Sequence, residues 1–114
     1  MTNFYMRFLK IVAALQFDQR KYKDISPTAI FLLNEIAVKD FDEQPLTVSQ
    51  AIEFRALGSP ATLHRKIDEL REAGMIEVTN VGTNRRTKYL FLTQAAKDYF
   101  QINSDAMLKA LESK

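Results

Sequence analysis

Residues 59–92, SPATLHRKIDELREAGMIEVTNVGTNRRTKYLFL, read as a helix that passes directly into a two-stranded hairpin with a basic tip. Ser59 offers a hydroxyl to cap the first turn, and Pro60 stands where a missing N–H costs nothing and a fixed φ suits a helix. Leu63, Ile67 and Leu70 recur at i, i+4 and i+7 and make one apolar stripe. Ala61, Thr62, His64, Arg65 and Lys66 fall off that stripe, so the free face is polar and basic near the helix start. Gly74 supplies the left-handed residue that commonly stops a helix. The period then changes to two, with Ile76 and Val78 on one face of a strand at 75–79, and a β-favouring aromatic run at 88–92 forms its partner. Between them Asn80 to Thr87 holds one glycine, two asparagines and Arg85-Arg86, the composition of a polar connection.

Working outward, Leu46 is placed to add a short strand to the hairpin, and Thr47 caps a helix over 48–56 with Val48, Ala51 and Ile52 inward. Ser26-Pro27 repeats the cap-plus-proline start for a core helix over 27–38. Thr93 caps a last helix running to 111, which Asn103-Ser104-Asp105 is expected to break in two. The first helix, 3–17, is apolar nearly all round: Phe4, Phe8, Ile11 and Leu15 make one stripe, with Leu9 and Val12 on the adjoining one. One small domain does not readily cover so much apolar surface. Phe4, Phe8, Ile11, Val12 and Leu15, with Leu108 and Leu111 of the last helix, are therefore candidates for an interface between two copies of the chain.

The order helix, turn, helix, hairpin resembles the winged helix-turn-helix, and the residues resemble those of the MarR family of bacterial transcription regulators. That family's recognition helix commonly begins Ser-Pro and runs through Thr-Val-Thr-Arg. Here Ser59-Pro60 is followed by Thr62-Leu63-His64-Arg65, with Ile67 and Leu70 at the family's core positions. Asn84, Arg86 and Leu92-Thr93 are similar to the wing's acidic residue, arginine and closing Leu-Thr, with an amide in place of the acid. The likeness spans roughly residues 46–93, and Arg55–Gly58 makes a turn one residue longer than is usual there. It implies an α+β, mostly helical fold: a winged helix-turn-helix at 26–93, flanked by an N-terminal helix with a basic link (1–25) and a C-terminal helix (94–114), both serving dimerisation. It also implies a homodimeric regulator on double-stranded DNA.

The residues themselves support a DNA-binding reading. A helix N-terminus with the Ser59 hydroxyl can meet a phosphate. Arg65 has the fork that matches guanine O6 and N7, and Thr62 suits a thymine methyl or a phosphate, with His64 and Lys66 beside them. Arg85 or Arg86, with Asn84 and Lys88, would bring the wing to the minor groove or its backbone. A structural alternative for Arg86 is an acidic partner that steadies the wing.

Composition limits the other readings. The 114 residues, 46% apolar with 3 Gly and 3 Pro, fit one helical domain with one core. The absence of cysteine removes disulfides and thiolate metal sites and fits a cytoplasmic location. A net charge of +2 is low for a non-specific nucleic-acid binder, but the balance is uneven. Residues 59–93 carry six basic and four acidic side chains, whereas 26–58 carry two and five. Arg7, Lys10 and Gln16 interrupt the first apolar run, which argues against a signal peptide and a membrane span. QRKYKD at 19–24 reads as a solvated basic link, with a phosphate-contacting arm as the alternative.

Asp40-Phe41-Asp42-Glu43 reads as a solvated loop, since no histidine or glycine-bearing loop accompanies it to make a metal or acid–base site. No constellation of nucleophile, base and orienting group stands out. His64 alone does not make a zinc site, and Tyr5, Tyr22, Tyr89 and Tyr99 lack the metal cluster that tyrosine attack on DNA needs. No cofactor, metal or catalytic residue is expected, and any small-molecule effector is left open. The competing reading is a winged-helix module for protein contact, or an accessory part in replication or partition. Acidic Asp68, Glu69 and Glu72 on the second half of the recognition helix favour it.

Overall fold

Two serine-proline pairs start the helices on which the central part of the chain is built. In the computed structural model, which describes residues 3–18 (backbone alone for 14–18) and 24–112, the order is α1 (Phe4–Asp18), α2 (Pro27–Phe41), α3 (Val48–Ala51), α4 (Pro60–Glu72), β1 (Ile76–Val81), β2 (Asn84–Leu92) and α5 (Gln94–Glu112). The Ser26 hydroxyl accepts from Ala29 N–H at 3.3 Å and that of Ser59 from Thr62 N–H at 3.2 Å, each satisfying an amide with no helical partner. The chain divides into two compact units, one of residues 25–96 and one drawn from residues up to 24 and from 97 onward.

The core of the first unit joins α2, α4 and the sheet. α2 packs against α4 and β2, and α4 against β1; Leu32, Leu33 and Ile36 of α2, Leu63, Ile67 and Leu70 of α4, and Met75, Ile76 and Leu90 are all buried. Burying each large aliphatic side chain is worth roughly 1.5–3 kcal/mol, so the three from α4 fix which way that helix faces. Gly74, at φ +75°, ends α4 in a left-handed residue. Its N–H donates to Arg71 C=O and that of Met75 to Leu70 C=O, both at 3.0 Å, which is the double closure of a Schellman motif. The sheet is antiparallel, with Ile76 opposite Leu92 and Val78 opposite Leu90. Leu46 C=O accepts from Leu90 N–H at 2.8 Å and Thr47 pairs with Tyr89, so the short strand foreseen at Leu46 is a single bridge. Thr47 and Gln50 exchange side-chain bonds to each other's amides, a capping box at the start of α3.

Four expectations need correction. The helix expected over 48–56 stops at Ala51, and the chain continues in tight turns in which Glu53, Phe54 and Leu57 donate three residues back. It must descend to Gly58, whose φ of +150° no helix admits. The hairpin is longer than 75–79 and 88–92: β1 runs to Val81 and β2 starts at Asn84, leaving Gly82 and Thr83 as the loop. The pairing register shifts between Thr79–Tyr89 and Val81–Asn84, and asparagine side chains bridge the irregular stretch: Asn80 Nδ2 donates to Thr87 C=O at 2.7 Å and Asn84 Oδ1 accepts from the amides of Arg86 and Thr87. The last helix does not break at Asn103. Asn103 Nδ2 donates to Tyr99 C=O at 3.1 Å and Asp105 Oδ1 accepts from Gln101 Nε2 at 2.9 Å, so Asn103 and Asp105 each bond one turn back along the helix they were expected to break. Finally, Asp40 is no solvated loop residue: its Oδ2 accepts from Leu92 N–H at 2.9 Å and ties the end of α2 to the end of β2.

Candidate nucleic-acid interface

The polar face of α4 begins where its apolar stripe ends. With Leu63, Ile67 and Leu70 turned inward, Ala61, His64 and Arg65 are exposed, and Thr62 and Lys66 are partly so. Thr62 and Arg65, with the capping Ser59, form one chain of hydrogen bonds. The Ser59 hydroxyl donates to Thr62 Oγ1 at 3.0 Å, and Arg65 Nη2 donates to the same oxygen at 3.2 Å. Arg65 thus lies along the first turn of the helix.

Lys66 has a different surrounding. Its ammonium donates to Glu69 Oε1 at 3.2 Å, the oxygen that also accepts from the Ser26 hydroxyl at 3.0 Å, while Oε2 accepts from Ser26 N–H at 2.6 Å. Burial opposes ionisation of Glu69. The Ser26 amide, the two side-chain bonds and the Lys66 charge outweigh it and hold the carboxyl below its ordinary pKa. Glu69 was read from sequence as part of an acidic surface, yet it reaches across to the start of α2. No local signal separates it from Asp68 and Glu72, because its partner lies 43 residues away. Asp68 pairs with Arg71 at 3.8 Å on the exposed side.

On the wing, Asn84, Arg85, Arg86 and Lys88 are all exposed. Asn84 is occupied in shaping the turn of the hairpin, its amide also donating to Thr87 Oγ1 at 3.0 Å. Among the described residues no carboxylate pairs with Arg85, Arg86 or Lys88, so the acidic partner considered for Arg86 is absent there. The pairing register shifts between Thr79–Tyr89 and Val81–Asn84, so the alternation of faces seen along a regular strand does not carry through residues 85–88.

The second unit holds the residues expected between copies. On α1, Phe4, Tyr5, Met6 and Leu9 are exposed, while Phe8, Ile11 and Val12 are half-buried. The Arg7 guanidinium lies over the Phe4 ring, 5.6 Å from its centre, which lets a cation sit within the apolar run. On α5, Met107, Leu108 and Leu111 are exposed and Ala106 and Ala110 buried. The Leu15 side chain and most of the basic link, residues 19–23, lie outside the described residues. Among the described residues no helix is long and apolar enough to cross a membrane, and no cluster of three or more potential ligands could hold a metal ion.

No protein-family model matches the chain, and no curated protein matches it. Solved structures do. It is similar to a MarR-like transcriptional regulator from Thermotoga maritima, at TM-score 0.66 and 18% identity over 100% of this chain and 83% of the other. The heme sensor protein PefR from Streptococcus agalactiae, solved in complex with heme, is similar at TM-score 0.53 and 19% identity over 99% of this chain and 81% of its own. Disulfide-formed AbfR gives 0.54 and 17% over 93% and 70%. The helix order, the capped α4 and the hairpin behind it agree with these likenesses: the chain has the MarR-like winged-helix fold.

Proposed function

We propose that the chain binds double-stranded DNA sequence-specifically as a homodimeric transcription regulator, with α4 in the major groove and the wing on the minor groove or its backbone. One observation carries this reading. The apolar stripe of α4 is wholly used inside the unit, so its first turns present polar groups and only the small Ala61 outward, on the chain that also exposes Arg85, Arg86 and Lys88. A winged helix reads DNA by such a face, and dimers read two half-sites. The description of a solved neighbour as a transcriptional regulator adds to this reading. The apolar residues exposed on α1 and α5 support the pairing of two copies, since such surface is ordinarily covered.

A second reading, contact with another protein, draws on the groove beside α4, where Asp68, Glu72 and Glu77 stand around Ile76 and Val78. Binding to a duplex selected from random sequence, against a scrambled duplex, separates the two. The wild type should prefer the selected duplex, and Arg65→Ala should lower that preference by about 1–3 kcal/mol, the worth of a bidentate base contact. Light scattering on the same sample should give a dimer. Absence of any preferred duplex would transfer the α4 face to protein contact.

A further inference from the structure

The hydrogen bonds at the start of α4 assign a role to Thr62 other than touching DNA. We propose that Thr62 is a positioning residue for Arg65, holding its guanidinium in place before DNA arrives; this rests on the DNA-binding reading above. A β-branched side chain in a helix has few orientations, and threonine divides between two. Here Gly58 leaves room for one of them. A Cβ built on Gly58 would stand 3.2 Å from Thr62 Cγ2 and 3.4 Å from Thr62 Cβ, so the methyl occupies the space that a side chain at 58 would need. With the methyl there, Oγ1 turns to Ser59 and Arg65, as the 3.0 Å and 3.2 Å bonds record. The Ser59 hydroxyl fills one acceptor position of Oγ1 and Arg65 Nη2 the other.

The geometry leaves Arg65 competent for its task. Nη2 contributes one hydrogen to each of the two donor edges of the guanidinium, so a single bond to Thr62 leaves one complete two-donor edge. That edge is what guanine O6 and N7 require. A free arginine loses several rotatable bonds on binding; one already anchored loses fewer, and the saving appears only at the base pair that the fork fits. The positioning acts on discrimination more than on general affinity, which comes largely from phosphates.

The test compares wild type, Thr62→Val, Thr62→Ser, Arg65→Ala and the Thr62→Val/Arg65→Ala double variant on a selected and a scrambled duplex. Circular dichroism checks that each is folded. Thr62→Val keeps the branch and removes only the hydroxyl. It should reduce the ratio of selected to scrambled affinity roughly three- to tenfold, the range of a single hydrogen bond. Thr62→Ser should restore most of it. In the Arg65→Ala background Thr62→Val should change nothing further, because a residue acting through Arg65 has no effect without it. An unchanged ratio in Thr62→Val, or equal losses in the two backgrounds, overturns the positioning role while a defect in Arg65→Ala leaves the DNA reading standing. If wild type and Arg65→Ala both lack a preferred duplex, the DNA reading has failed and the positioning role fails with it.

Discussion

Glu69 provides the most direct check on the packing of α4 against α2, independent of any ligand. Its carboxylate accepts from the Ser26 amide at 2.6 Å, the Ser26 hydroxyl at 3.0 Å and Lys66 Nζ at 3.2 Å. Hydrogen bonds to a charged group are worth about 1.5–3 kcal/mol net, and loss of the acceptor also leaves the Ser26 amide to water. The Glu69 side chain is 28% exposed, so water can replace part of what is lost, and the lower half of that range applies. Glu69→Ala should therefore cost about 2 kcal/mol, which for a chain of this length lowers Tm by about 10 °C. Glu69→Gln keeps one acceptor and should lose roughly half as much.

The pH dependence has a definite sign. Because the folded pKa of Glu69 is depressed, its contribution is complete above the ordinary glutamate value of 4.5 and is lost as pH falls through the folded value. Thermal melts of wild type and Glu69→Gln, followed by far-ultraviolet circular dichroism at one protein concentration, should differ at neutral pH and converge in acid. A Glu69→Ala protein melting within about 2 °C of wild type at neutral pH would refute the reasoning, since ordinary surface substitutions lie in that range.

Asp40→Ala removes the acceptor for Leu92 N–H and should cost about 1 kcal/mol, with Asp40→Asn milder; denaturant unfolding measures both. The wing arginines carry a prediction about salt. Replacing Arg85 and Arg86 together by Ala should shallow the salt dependence of duplex binding by about one or two contacts, as titrations at several salt concentrations would show. An unchanged slope would mean that the wing does not meet phosphates.

Much of this architecture was legible in the sequence because its determinants are local. Ser26-Pro27, Ser59-Pro60, Thr47 and Thr93 each act within one helical turn, and each caps the helix that follows it. The spacing of Leu63, Ile67 and Leu70 needed no knowledge of what they pack against. The missed features depend on partners remote in sequence or on what a side chain does with its own backbone. Asp40 and Glu69 look like solvated acids until Leu92 and Ser26 are brought to them. Asn103 has the composition of a helix break, but its amide turns back onto Tyr99. The bond from Arg65 to Thr62 has no signal in the spacing of the two residues, because it depends on how both side chains turn beside Gly58.

The two carboxylate ties also bear on the order in which this chain folds. Glu69 fastens the start of α2 across 43 residues, and Asp40 fastens its end across 52. Loop-closure entropy grows only with the logarithm of length, so the two closures differ by less than about 0.2 kcal/mol. Neither end of α2 is favoured to lock ahead of the other. Both closures wait for α4 and the hairpin to be in place, so α2 joins the unit in one cooperative step with non-local contacts. A break at either end should raise the rate at which the whole helix leaves, and hydrogen exchange would then show α2 opening as a block instead of fraying from one terminus.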